Sequence, residues 1–229
     1  MIAVRPAAAR GTTRIDAAAV HHAFSCGDYY DPAHMGFGPV RAINEIVLAP
    51  GAGLERERRA NVDILDWVVE GRVRRECGGT DCLLESGSAH LIGAGSGIDE
   101  SIRNASPRQP ARVLQVWLQS ERLNAAPCHA HCATPADDGR LVPMDGRGDA
   151  LPLRRDVEVV VLRLAAGMRR QQACRGADRV WLQVTRGCVE VNGVRLLAGD
   201  AAMVLNETCL GLVAAGTEAE LMWIGLRAD

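Results

Sequence analysis

Along much of the chain, β-branched, aliphatic and aromatic residues come in short runs that alternate with charged ones, and glycine-bearing turns end these runs at close intervals. Val62 to Gly71 reads VDILDWVVEG, with Asp63, Asp66 and Glu70 breaking it as a partly solvated strand requires. Gly71 ends that strand, and Arg72 to Glu76 begin a return strand. Cys77-Gly78-Gly79-Thr80-Asp81 is a turn whose glycines take positive φ without a Cβ penalty. Further short strands are predicted around Cys82 to Glu85 and His90 to Gly93, with Glu85-Ser86-Gly87-Ser88 as the turn between them. Arg41 to Ala49 predicts a strand before this stretch and Val113 to Gln119 one after it, past a turn at Ser106 to Pro110. Residues 1 to about 20 lack clear periodicity and read as a short strand or an irregular lead-in, and Asp28 to Gly38 as a loop. Short strands between frequent turns argue for an all-β sandwich or barrel, not a βαβ sheet.

The pattern then repeats. From Ser120 to Arg155 it loosens into a segment rich in Pro, Gly and Asp, which predicts an inter-domain connection over 121-155. Val159 to Gly167 and Val180 to Gly187 echo the earlier strands, and Asn192-Gly193 is a type I′ hairpin signal. Gly51 and Gly167 are separated by the same number of residues as Gly71 and Gly187, while Gly87 and Gly199 are slightly closer together. The implication is one barrel unit used twice, over 1-120 and 156-229, with a shorter hairpin in the second copy.

The 229 residues suffice for one large or two small domains, with 48% hydrophobic and 24% charged residues. All 26 basic residues are Arg, which reads as base-composition bias in the coding sequence, and they are dispersed at a net charge of −2. No nucleic-acid footprint is indicated. The N-terminus lacks the apolar core of a secretion signal and no apolar run approaches a membrane span, so a cytoplasmic location without membrane contact is expected. Eight scattered cysteines fit reduced thiols packed as small hydrophobes.

Val69-Glu70-Gly71 and the later Ser86-Gly87 resemble turns of the cupin superfamily, a small jelly-roll barrel. The stretch from His22 to Glu45, HAFSCGDYYDPAHMGFGPVRAINE, resembles the N-terminal signature of the pirin family. Pro50-Gly51-Ala52-Gly53, Ala94-Gly95-Ser96-Gly97 and Leu114-Gln115-Val116-Trp117-Leu118 resemble its later landmarks, in the right order. The resemblance implies a bicupin, two jelly-roll barrels in tandem, and for usual members a divalent metal held by a His-Pro-His motif and a His-x-Glu pair. Here Glu57, Arg58 and Arg59 stand at the first motif, and Glu100 and Ile102 at the second. Arg keeps its proton at ordinary pH and Ile offers no donor, so no metal or other cofactor is expected there. The equivalent positions of the second copy fall near Ala173, Arg175 and Leu212.

Two readings of Glu57, Arg59 and Glu100 stand open. If they converge, Arg59 puts a guanidinium between two carboxylates, where its forked donors fit. Otherwise they are drifted loop charges in solvent; a hard cation held by the two carboxylates beside an Arg is a poor third choice. His22 and His34 could border the cavity mouth. Cys128-His129-Ala130-His131-Cys132 has zinc-ligand chemistry, but in an extended segment its His and Cys face opposite ways, so ordinary linker residues are the competing reading. The expected role is non-catalytic, binding an unidentified small molecule or protein, or regulatory. Two enzyme alternatives are kept. One is the metal-dependent quercetin 2,3-dioxygenase activity known in some pirins, which the missing ligands argue against; the other is metal-independent acid/base chemistry at Glu57 or Glu100.

Overall fold

The computed structural model describes residues 1–133, 139–142, 156–174, 177 and 179–227. The described residues are all β apart from one 3-10 turn at Ala7–Ala9, and no helix is long and apolar enough to cross a membrane. The chain divides into two compact units, one of them Arg10 to Ala133 and the other built on the C-terminal half together with Met1–Ala9.

In the first unit a seven-stranded antiparallel sheet runs in the spatial order Cys128–Ala133, Ser88–Gly93, Val62–Glu70, Ala111–Gln119, Val40–Leu48, Ala18–His22 and Gly11–Ile15. A four-stranded sheet has the order Gly53–Arg59, Ile98–Asn104, Arg72–Cys77 and Thr80–Glu85. Ile46, Val68 and Val113 of the first sheet pack against Val73, Leu84 and Ile102 of the second, so the inward faces of both close a barrel core.

The second unit repeats this plan. Ala201–Leu205, Arg179–Arg186, Ala219–Leu226 and Val157–Leu164 lie in the same relative order in its larger sheet, and Arg169–Ala173, Cys209–Ala214, Cys188–Val191 and Val194–Leu197 form the smaller one. Its core is aliphatic around Trp223. Asn192 and Gly193 both have positive φ, 47° and 83°, and join directly paired Val191 and Val194, as a type I′ turn requires. Gly71 and Gly187 hold φ of 77° and 71°, and a Cβ at either would press on a main-chain oxygen, of Pro110 or of Glu218. Each tight strand exit therefore demands glycine. The duplication is thus visible in topology as well as in spacing.

Both flanks of the expected domain layout need adjustment. The lead-in contains a strand, Ile2–Arg5, which pairs antiparallel with Ala201–Leu205 and so extends the C-terminal barrel's sheet; residues 1 to 9 do not belong with the first barrel. Within the span expected to be a connection, Cys128–Ala133 forms the edge strand of the first barrel, and Gly139–Val142 pairs with Val157–Leu164. Main-chain pairing recruits Cys128–Ala133, whose side chains are mostly exposed.

Candidate functional site

The inward face of the first barrel is not wholly apolar. Side chains alternate along strands, so Ile64, Asp66 and Val68 share the inner face of their strand and Val113, Gln115 and Trp117 that of the next. From the smaller sheet, Ile98, Glu100 and Ile102 point inward beside Val73 and Arg75. Asp66, Arg75 and Glu100 are all buried, so three charged groups sit among Ile, Val and Leu. Asp66, expected on the solvated side of its strand, is instead fully buried; of the three acidic residues only Glu70 is exposed.

These groups form a connected set. Arg75 Nη1 donates to Glu100 Oε2, and Arg75 Nε lies 2.8 Å from Asp66 Oδ2, a charge contact off the hydrogen-bond axis. Gln115 Nε2 donates to Asp66 Oδ1 at 2.9 Å, and Trp117 Nε1 donates to Gln115 Oε1 at 2.7 Å. Arg59 closes the set. Its Nε donates to the other oxygen of Glu100 at 3.2 Å, its Nη2 pairs with Glu57, and its guanidinium carbon stands 4.6 Å from the centre of the Trp117 ring, a cation–π contact. Glu57 and Glu100 are directly opposed across paired strands, which is why one guanidinium reaches both.

Of the sequence candidates, Glu57, Arg59 and Glu100 therefore come together, although the Glu57 side chain remains 55% exposed. Ile102 packs in the apolar core, and Arg58 is exposed, 3.6 Å from Asp99. His22 is buried between Thr13 and Asn44, at 2.9 and 2.8 Å. Burial lowers its pKa, and the Asn44 hydrogen bond only partly offsets this. His34 pairs within its own loop with Asp31 at 2.7 Å. In the second barrel Ala173 is exposed and Leu212 lies in the core, while Arg175 is outside the described residues.

Arg75, Asp66, Gln115 and Trp117 were not foreseen as partners. The signal available was an Asp inside an apolar run and an Arg on the strand that follows it, which acquires meaning only once the two sheets are placed face to face. Burial disfavours the charge on Arg75, but Asp66 and Glu100 outweigh it and its pKa is raised. Beside the set, His90 is buried, and burial first, then Arg75, His129 and His131, push its pKa down to about 3. Among the described residues no group of three or more His, Cys, Asp or Glu is gathered closely enough to hold a metal ion.

Comparison with known proteins places this geometry. Residues 3–118 match the Pirin family model, and residues 141–226 match the model described as the quercetinase C-terminal cupin domain. A "Pirin-like protein" of Caulobacter vibrioides is 32% identical over 214 residues, 90% of each chain. A protein named "Quercetin 2,3-dioxygenase" of Escherichia coli K12 is 28% identical over 229 residues, 99% of each chain. Among solved structures, the bacterial pirin YhhW from Escherichia coli in complex with nickel(II) superposes with a TM-score of 0.93 at 27% identity, covering both chains in full. With this agreement in sequence and in both barrels, the chain belongs to the pirin family.

Proposed function

We propose that this pirin works without the mononuclear metal of the family, as a small-ligand-binding or regulatory bicupin. Arg75 carries the reading. Its guanidinium, 1% exposed, stands against Glu100 on one side and Asp66 on the other, while Arg59 takes the remaining oxygen of Glu100. Two guanidinium groups thereby supply, inside the barrel, the positive charge that a divalent ion would bring. A further cation there would meet fixed positive charges, and none of Glu57, Arg59, Glu100 or Ile102 offers it an imidazole. The set Glu57, Arg59, Glu100 and Ile102 does not fit the family's metal, and no catalytic step is derived through one. Arg75 Nη2 is buried without a hydrogen-bond partner, a donor suited to an acceptor oxygen of a small molecule. Both oxygens of Glu100 are engaged, which also weighs against its use as a general base.

A second reading, flavonol oxidation, is favoured by the full-length similarity to a protein named for that activity. Untagged protein incubated in turn with nickel, manganese, iron and copper, then supplied with quercetin under air, separates the two. The expected result is flavonol loss no faster than in metal-containing buffer. Metal-dependent turnover that disappears in Glu100→Ala would overturn the proposal.

A further inference from the structure

We propose that His90, His129 and His131 form a tris-histidine site for a divalent late transition ion of the zinc, nickel, copper or cobalt class. It lies where the edge strand of the first barrel's large sheet pairs with Ser88–Gly93, with His90 opposite Asp66, and it takes no ligand from Glu57, Arg59, Glu100 or Ile102. Cys128–Ala133 runs antiparallel to Ser88–Gly93 with His131 directly opposite His90 and His129 opposite Ile92. The two-residue period of a strand puts His129 and His131 on the face that carries His90. It sends Cys128 and Cys132 to the other face, where Cys128 Sγ lies close to Gly93. The thiols are thus excluded, and three imidazoles remain on one side of two adjacent strands.

Two observations point to a ligand. The rings of His90 and His129 are 5.7 Å apart and inclined at 51°. Two imidazoles sharing one tetrahedral ion at ordinary zinc–nitrogen distances have ring centres roughly 5 Å apart, so little adjustment is needed. Independently, His90 is fully buried with neither ring nitrogen hydrogen-bonded. An imidazole without partners in the interior is costly and calls for an ion or ligand.

The three rings do not converge on a point as they stand. His129 and His131 are exposed, however, and can turn about χ1 without repacking the barrel. Asp66, opposite His90 on the neighbouring strand, is a carboxylate of the kind that orients ligating imidazoles. The nearby guanidinium of Arg75 is already neutralised by Asp66 and Glu100.

The test is titration of the untagged, chelator-stripped full chain with Co²⁺, read by the visible ligand-field absorption of a low-symmetry site, with Zn²⁺ as competitor. One ion per chain is expected. His129→Ala and His131→Ala, at exposed positions, should each weaken binding by at least about tenfold, and His90→Gln should remove the absorption while circular dichroism reports an intact fold. If His90→Gln does not fold, the rise in Tm on adding Zn²⁺ decides, being expected for the wild type and absent in His131→Ala. Absence of binding, or binding indifferent to His129 and His131, would overturn the site. So would binding retained in His90→Gln at half an ion per chain with dimer formation, which would mean bridging by the exposed pair. Loss only in Glu100→Ala would place the ion in the barrel interior and overturn the proposed function as well.

Discussion

Replacing Arg75 with Met keeps most of the side-chain volume and removes the charge between Asp66 and Glu100. At 2.8 Å and an effective dielectric of about 20, one such contact has a gross attraction on the order of 6 kcal/mol. Desolvation of the ions offsets most of that, so the intact set adds little net stability. Removing the guanidinium alone is different, because two carboxylates stay in the interior with fewer partners. The expected loss is about 3 to 5 kcal/mol, a large share of the 5 to 15 kcal/mol typical of a domain. Urea unfolding, followed through Trp67 and Trp117 of the first barrel, should show a lower midpoint. Adding Glu100→Gln to Arg75→Met should recover part of the loss, and the double-mutant cycle should give a coupling of at least about 1 kcal/mol. A single-variant loss under about 1 kcal/mol, with no coupling, would mean that these charges are solvated, and the reasoning from a buried set would fail.

The remaining expectations concern pH and a turn. His90 has a folded pKa of about 3, below the ordinary 6.5. The unfolded chain therefore binds the proton first; the contribution of neutral His90 is fully present above pH 6.5 and is lost as pH falls toward 3. Between pH 6.5 and 4 that amounts to about 3 kcal/mol. His90→Leu should flatten the stability profile in this window relative to wild type, and unchanged curvature would refute the assignment. Gly51 and Gly71 both have positive φ, but a Cβ meets nothing at Gly51 and the Pro110 oxygen at Gly71. Gly51→Ala should cost about 1 to 2 kcal/mol and Gly71→Ala about 1 to 3 kcal/mol more, so equal costs in thermal or urea unfolding would contradict the strand-exit geometry.

Much of the fold was legible because the core strands Val40–Leu48, Val62–Glu70, Ala111–Gln119, Val157–Leu164 and Arg179–Arg186 carry runs of aliphatic and β-branched residues, and two of them stop at a glycine, Gly71 and Gly187. The strands that escaped lack that signature. Gly53–Arg59 reads GLERERR and is held by main-chain pairing to Ile98–Asn104. The latter has Glu100 at an inward position where alternation calls for an apolar residue. Cys128–Ala133 looked like a connection because its alternation is of His and Cys, a pattern that says which residues share a face but not which strand lies alongside. Family register pointed to Glu57, Arg59 and Glu100. Arg75 and Asp66 were hidden for the opposite reason, since charged residues in strands are ordinarily solvated and only the packing of one sheet on the other shows that these two are not.

The central proposal is that guanidinium groups, not a metal ion, neutralise the carboxylates inside the first barrel. Its most direct test is the metal content of untagged protein after loading with nickel(II) and desalting, measured per chain by elemental analysis for the wild type, Glu57→Ala, Glu100→Ala and His129→Ala. Metal retained equally in the wild type, Glu57→Ala and Glu100→Ala, and reduced only in His129→Ala, is the predicted result. Stoichiometric nickel that disappears in Glu57→Ala or Glu100→Ala would contradict the claim and return a metal to the barrel interior.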